Sequence, residues 1–390
     1  MAVLTVNGVT YTVTENISLM SFLRDTLRLT SVKNGCNEGA CGTCTVLIDG
    51  KAVKACVQKT DKLDGKSILT AEGLSDKERA IYVYAFSKAG AVQCGFCIPG
   101  MVICAKALLD RNPNPTRDAV KSAIKNNLCR CTGYKKIEEA ILLAAEMFRN
   151  GAVPEKSVDT GILGESTVRI DAEAKITGTA MYADDYYMEN MLYGSALRSE
   201  YPRAEILSID TSEAEKINGV ACVMTAKDIP GAQKVGHLKR DWDVLIPVGK
   251  TTHYLGDAIA LIAAETPEIL ETAKKAVKVQ YKPLQAVFSP EEAMAENAPS
   301  VHEDGNLLAY EHLVRGNADD IISKSKHKVT YHYSVPFTEH AFMEPECAVA
   351  FPEDDGIHII SGDQGIYQTR ESVPMHSDFR LIKSVYLPLW

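Results

Sequence analysis

Eight of the eleven cysteines fall into two spaced sets, and that spacing limits what this 390-residue chain can become more than any other feature. Cys36, Cys41 and Cys44 follow a C-x4-C-x2-C pattern, and eleven residues separate Cys44 from Cys56. Plant-type 2Fe-2S sites use this close spacing. Each iron there is tetrahedral and takes two bridging sulfides, so each needs two thiolates. Three thiolates come from one wrapping loop and the fourth from a neighbouring strand. The loop NGCNEGACGTC holds three glycines, Gly35, Gly39 and Gly42, which let its backbone approach a cluster closely and aim N–H groups at sulfur. A structural zinc site is the competing reading. Zinc sites usually pair cysteines two to four residues apart, twice, and only Cys41 and Cys44 fit that.

The second set pairs Cys94 with Cys97 in QCGFC and Cys129 with Cys131 in CRC. The 31 residues between the pairs have room for two helices. Each pair precedes an expected helix, whose N-terminal dipole favours thiolate. A C-x-C pair suits a cluster with ligands converging from two helix ends better than a zinc knuckle. A redox-active C-x-x-C at Cys94 and Cys97 competes with this reading. Cys104 lies inside an apolar helical run and is expected in a core. Cys222 and Cys347, in apolar strand-like runs, are given the same structural role.

The pattern along the chain divides it. In residues 1–75, VLTV and VTYTV flank Asn7-Gly8, and CTVLI and KAVKAC flank Asp49-Gly50, two hairpin signals. Between them Ser18 can cap a helix LMSFLRDTLRL. Residues 76–150 read as four helices, beginning with a Ser75/Glu78 capping box and ending before Gly151. The last has Ile137, Ile141, Ala144 and Phe148 on one stripe. Residues 151–168 lack periodicity and read as a linker. Residues 169–290 are mixed α and β, and from 291 to 390 strands dominate, as in KVTYHYSV, CAVAF and IHIIS.

A net charge of -9 argues against nucleic acid as a partner. The amino terminus lacks a secretory pattern, and no apolar run nears the roughly 20 residues that span a bilayer. No membrane association is expected, and a cytoplasmic location is the simplest reading. Unpaired thiols suit that reducing compartment.

Both cysteine sets, in this order, resemble the iron–sulfur part of the molybdenum hydroxylases, the family of xanthine dehydrogenases and aldehyde oxidoreductases. NEGACGTCTVLIDG, AVQCGFCIPG and NNLCRCTGY carry the resemblance over residues 1 to about 150. RIDAEAKITGTAMYADD, GVACVMTAKDIPG and VGKTTHYLGDAIALIAAET extend it to about 290, and TEHAFMEPECAVAF with SGDQG to about 373. The resemblance implies a multidomain α+β fold. A β-grasp 2Fe-2S ferredoxin domain (1–75) and a four-helix 2Fe-2S domain (76–150) would precede the linker. An α/β hammerhead-like domain (169–290) and an incomplete start of a molybdopterin-binding domain (291–390) would follow it. Lacking a flavin domain before residue 169, this order is similar to flavin-free aldehyde oxidoreductases and, more closely, selenium-dependent xanthine dehydrogenases.

The resemblance also implies roles. The eight cysteines would hold two 2Fe-2S clusters. Gln93 matches a glutamine that contacts the pterin, and Cys131 the ligand nearest it, so electrons would pass from molybdopterin to the second cluster and then the first. Gln364 resembles a glutamine beside molybdenum, although a polar residue at a strand end reads equally well. Glu339, His340 and Glu344 are expected as strand-end or pocket-wall residues, not ligands. The family's Phe-Gly-Gly stretch and late glutamate base have no counterpart here, so the chain is expected to be an amino-terminal fragment without a complete active site. No catalytic residue is assigned. The complete enzyme would oxidise a purine or an aldehyde with water as oxygen source. Its partners would be the remaining molybdopterin-binding portion or subunit and a flavin or other electron acceptor. The alternatives are a non-enzymatic 2Fe-2S electron-transfer module or truncated remnant, and a zinc-stabilised binding protein.

Overall fold

The computed structural model describes residues 1–152, 162–164, 167–236, 239–354 and 356–377, and the backbone of 382–386. Most of the expected linker, 151–168, lies outside the described residues.

The amino-terminal sheet is built from two hairpins and one short strand. Asn7 and Gly8 have φ of 49° and 85°, and Asp49 and Gly50 have 47° and 76°, so each pair makes a two-residue turn whose twist suits a hairpin. They join β1 (Ala2–Val6) to β2 (Val9–Val13) and β3 (Thr45–Ile48) to β4 (Lys51–Lys54). β5 (Ser67–Leu69) lies between the hairpins, parallel to β1 and antiparallel to β3, giving the order β2-β1-β5-β3-β4. Leu4, Leu19, Leu23, Val46 and Ile68 fill one core under this sheet, each worth about 1.5–3 kcal/mol of burial. The helix expected over residues 19–29 is shorter. α1 covers Leu19–Ser21 and widens over Phe22–Thr26 into a turn where Leu27 N–H reaches Phe22 C=O. The cause is Arg24, whose guanidinium is drawn inside to Val32 C=O, and Arg28, whose φ is 58°.

The next unit is helical. The Ser75/Glu78 capping box opens α2 (Asp76–Lys88). α3 (Ile98–Leu109) carries apolar residues on all sides and is buried on nearly all of them, as a central helix must be. α4 (Arg117–Ile124) and α5 (Lys135–Asn150) close the unit, and Gly151 ends α5 in the left-handed region. Ile81, Phe86, Met101, Ile137 and Ile141 form its core, and Tyr82 meets Phe148 edge-on at 5.4 Å.

After α6 (Ala172–Thr177) the chain becomes mixed. β6 (Tyr193–Arg198), β11 (Ala258–Ala264) and β8 (Val220–Thr225) form an antiparallel sheet with β11 central, and β7 (Ala204–Asp210) pairs with β12 (Lys278–Pro283). β9 (Lys234–Val235) and β10 (Trp242–Asp243) make a small pair. The helices α7 (Ser212–Glu215) and α8 (Pro267–Ala276) supply Ala214, Leu270 and Ala273 to this core. Further on, β13 (Ala348–Glu353) and β14 (Gly356–Ser361) pair antiparallel, with β15 (Ile382–Tyr386) parallel to β14. KVTYHYSV is not a strand. Residues 328–335 are exposed and outside any strand or helix. Val329, Tyr331, Tyr333 and Val335 alternate as strand residues do, yet a strand needs a neighbour to take its backbone hydrogen bonds.

Candidate metal centres

The first cysteine set sits on the loop leading into β3. Cys41, Cys44 and Cys56 are buried and Cys36 is partly so. The loop folds back on itself, and the N–H groups of Ala40 and Cys41 both donate to Cys36 Sγ at 3.3 Å. Burial opposes the Cys36 thiolate, but the N–H groups of Cys41, Glu38 and Ala40 outweigh it and bring the thiol down to about 7. Cys44 lies against Cys56, and burial together with that neighbour pushes Cys44 up to about 12. Lys54 on β4 closes the loop from outside by donating to Gly39 C=O at 2.6 Å and Ala40 C=O at 3.0 Å. Thr43 donates to Lys33 C=O at 3.0 Å, and its hydroxyl lies 3.2 Å from Cys41 Sγ.

The second set meets where α3 begins. Cys97 is the N-cap of α3, and the C-R-C turn comes to it from the far end of α4. Cys131 Sγ lies 3.8 Å from Cys94 Sγ. Cys97 pairs with Cys129. The hydrogen bond from Cys97, against burial, and help from Thr132 bring Cys129 down to about 5. The main cause at Cys129 is its bond with Cys97 and not a helix end. Burial and then the neighbouring Cys131 push Cys94 up to about 12, while the bond to Cys129 and burial raise Cys97.

The thiols meet in twos: Cys36 with Cys41, Cys44 with Cys56, Cys94 with Cys131, and Cys97 with Cys129. Among the described residues no three metal-binding side chains converge on one ion. Four thiols arranged as two pairs, with N–H donors beside them, suit a binuclear cluster, which takes four cysteines in all. The two sites are joined directly, because Leu128 N–H donates to Cys41 C=O at 2.8 Å.

A segment after the helical unit docks on both sites. Asp185 Oδ2 is 2.6 Å from Lys33 Nζ and Asp185 Oδ1 is 2.7 Å from Arg24, with Lys33 and Asp185 fully buried. Tyr182 donates to Cys94 C=O at 2.7 Å, and its ring meets Phe96 edge-on. Arg130, between Cys129 and Cys131, donates to the carbonyls of Glu339 and His340 at 3.0 Å each. Sequence reasoning missed Asp185 and Lys33, whose partnership spans 152 residues and leaves no local signal.

The other candidates are less gathered. Gln93 and Gln364 are both exposed, and neither side-chain amide has a hydrogen-bond partner among the described residues; only the Gln93 backbone is engaged, by Lys175 at 3.3 Å. Glu339 and His340 are exposed. Glu344 is 7% exposed and lines a cavity of about 390 Å³ with Phe342, Ser361 and Asp363. Cys104 is buried and donates to Asn127 Oδ1 at 3.1 Å. Cys222 is exposed on β8 and Cys347 partly buried, so neither is the core residue its surroundings suggested. β8 is an edge strand, and Cys222 faces away from the packed side.

Comparison with known proteins defines the class first. Residues 8–84 match the 2Fe-2S iron-sulfur cluster binding domain, and residues 70–142 the [2Fe-2S] binding domain. Residues 177–285 match the aldehyde oxidase and xanthine dehydrogenase a/b hammerhead domain, and 301–379 the molybdopterin cofactor-binding domain. The chain belongs to the molybdenum hydroxylase family of aldehyde oxidoreductases and xanthine dehydrogenases. Among individual relatives, it is 36% identical over 381 residues to the aldehyde oxidoreductase of Megalodesulfovibrio gigas, covering 91% of this chain and 42% of that one. The solved structure of the Desulfovibrio gigas aldehyde oxidoreductase superposes with a TM-score of 0.86 at 32% identity, over 99% of this chain and 45% of that one. The nicotinate dehydrogenase small FeS subunit of Eubacterium barkeri is 47% identical over 136 residues, 35% of this chain and 87% of that subunit. The chain thus spans less than half the length of the aldehyde oxidoreductases it matches. No described helix is long and apolar enough to cross a membrane.

Proposed function

We propose that this chain is the iron–sulfur electron-transfer portion of a molybdenum hydroxylase that oxidises a purine or an aldehyde with water as oxygen source. Cys36, Cys41, Cys44 and Cys56 would hold one 2Fe-2S cluster, and Cys94, Cys97, Cys129 and Cys131 the other. When bound, the clusters supply one-electron carriers between a molybdopterin centre and an outside acceptor. The observation that carries this reading is the paired thiols of two sites joined through Leu128 and Cys41. The protein's own part is to bury five of the eight thiols, with Cys36 and Cys129 partly covered and Cys131 exposed, and to aim N–H groups at Cys36.

In this reading residues 1–75 are a β-grasp ferredoxin domain and 76–150 a four-helix domain. Residues 169–290 are the hammerhead domain, and 291–390 begin the molybdopterin-binding domain. The unpartnered amides of Gln93 and Gln364 would meet the cofactor. The partners are the rest of the molybdopterin-binding portion, on this or a second chain, and a flavin or other acceptor. The relation to a separate small FeS subunit supports the second-chain arrangement. The test is a reductive titration of the chain reconstituted with iron and sulfide. Uptake of about two electrons, one per cluster, is expected, and uptake of none contradicts the reading. Assay of the molybdenum-loaded assembly with xanthine and with aldehydes then assigns the substrate.

A further inference from the structure

Between the two cysteine sites lies a buried polar lock that the spacing of the cysteines does not explain. Asn127, two residues before Cys129, is 2% exposed. Its side-chain Nδ2 donates to Gly42 C=O at 2.9 Å and to Thr45 Oγ1 at 3.3 Å, both on the loop and strand of the first site. Its Oδ1 accepts from the Cys104 thiol at 3.1 Å. A buried amide satisfied on both ends holds its neighbours in one arrangement, since any other leaves polar atoms unpaired.

Tyr134 completes the lock on the other side. Its hydroxyl accepts from Cys129 N–H at 3.0 Å and donates to Asn127 C=O at 3.3 Å. To reach them, Tyr134 takes φ 68° and ψ -32°, a region a bulky residue adopts only when its surroundings over-determine it. Thr132 Oγ1 takes the Tyr134 N–H at 3.2 Å and steadies that conformation. The Leu128 N–H to Cys41 C=O bond of 2.8 Å lies between Asn127 and Cys129. The chain there is therefore gripped at Asn127, Leu128 and Cys129 in succession.

We propose that Asn127 and Tyr134 are positioning residues that fix the Cys129 turn against the Cys41–Gly42 turn, and so set the separation and electronic coupling of the two clusters. This rests on the cluster reading above. Neither residue supplies a ligand. Asn127 fixes the first site to the second through Gly42 and Thr45. Tyr134 fixes the amide of a second-site cysteine to the backbone of Asn127. Partners of this outer kind tune a metal site as well as hold it.

The test uses the full chain reconstituted with iron and sulfide and fully reduced, so that each cluster is paramagnetic and splits its neighbour's signal in low-temperature electron paramagnetic resonance. Tyr134→Phe removes only the hydroxyl, and Asn127→Leu keeps the side chain's approximate size while removing its polar contacts. Both variants are expected to keep about four irons per chain, two per cluster, and both separate cluster signals, but to lose most of the mutual splitting. Asn127→Asp, which keeps an acceptor for Cys104 but removes the donors to Gly42 and Thr45, should lose it as well. Unchanged splitting in Tyr134→Phe and Asn127→Asp with four irons bound would overturn the proposal. So would loss of the second cluster from Tyr134→Phe, which would make Tyr134 a residue that retains the cluster and does not set its distance. A wild-type chain that binds only one cluster would instead overturn the underlying cluster reading.

Discussion

Cys36, Cys41 and Cys44 sit on one short loop closed by Lys54 and by the loop's own N–H groups, whereas Cys94 and Cys97 reach Cys129 and Cys131 only because α3 and α4 pack together. The first site is a local structure with one cysteine from outside the loop, Cys56. The second is a product of tertiary packing, and its two cysteine pairs are separated along the backbone by two helices. The difference teaches where each is vulnerable. A change in loop geometry should harm the first site, and a change in packing should harm the second. Only groups that touch both should harm the two together.

Asp185 is the strongest such group. Removing it in Asp185→Ala leaves Lys33 buried without its ion-pair partner and Arg24 with only Asp184, 3.9 Å away, and breaking a buried pair in this way costs about 3–5 kcal/mol. Denaturant unfolding of the full chain should show that loss. Because Lys33 lies beneath the first loop through Thr43, and Tyr182 holds Cys94 C=O, both sites should be weakened. An unchanged midpoint would show that other groups hold the two cations.

Gly42→Ala comes next. Gly42 has φ 76°, and a Cβ there would run into the backbone of Asn126 and Asn127. Left-handed strain plus a clash with fixed backbone should cost about 3 kcal/mol. The matched control is Gly133→Ala beside the second site. It also has positive φ, at 64°, but a Cβ there would meet nothing within 4 Å. Only the conformational cost of about 1 kcal/mol remains. Equal losses for the two would erase the distinction between a loop jammed against its neighbour and a turn open to solvent.

Between these in size is a pH effect confined to the second site's surroundings. Burial, assisted by Asp184 and opposed by Lys175 and Lys33, raises Glu344 from an ordinary 4.5 to about 7. The folded chain then holds this proton over a pH range where the unfolded chain has released it. Stability should fall as pH rises from about 4.5 to about 7, by about 2 kcal/mol at most given the open side of its cavity. Glu344→Gln should flatten that part of the stability profile. A profile identical to wild type would remove Glu344 from the account.

Legibility follows the same division. The hairpins at Asn7-Gly8 and Asp49-Gly50, the Ser75 capping box and the Gly151 stop are local rules and were readable from neighbouring residues. β5 was not, because three residues carry no periodicity, and the helix after Ser18 ended early because Arg24 is drawn inside. Cysteine spacing pointed to both candidate sites, but not to the pairing of the thiols or to the contact between sites. Asn127, Asp185 and Lys33 act over 82 to 161 residues of sequence, and although Asn127 and Asp185 fall in segments that carry the family resemblance, no local rule tells which distant residue each one meets. KVTYHYSV misled because alternation reports a strand's faces and not whether a partner strand is present.

The most direct measurement is metal content with paired substitutions. The anaerobically reconstituted chain should hold about four irons and matching sulfide, two irons per cluster. Cys41→Ser should abolish one reduced paramagnetic signal and Cys129→Ser the other, each leaving about two irons and largely sparing the remaining signal. Zinc in place of iron, or the same signal lost in both variants, would contradict the assignment of two separate clusters to these eight cysteines.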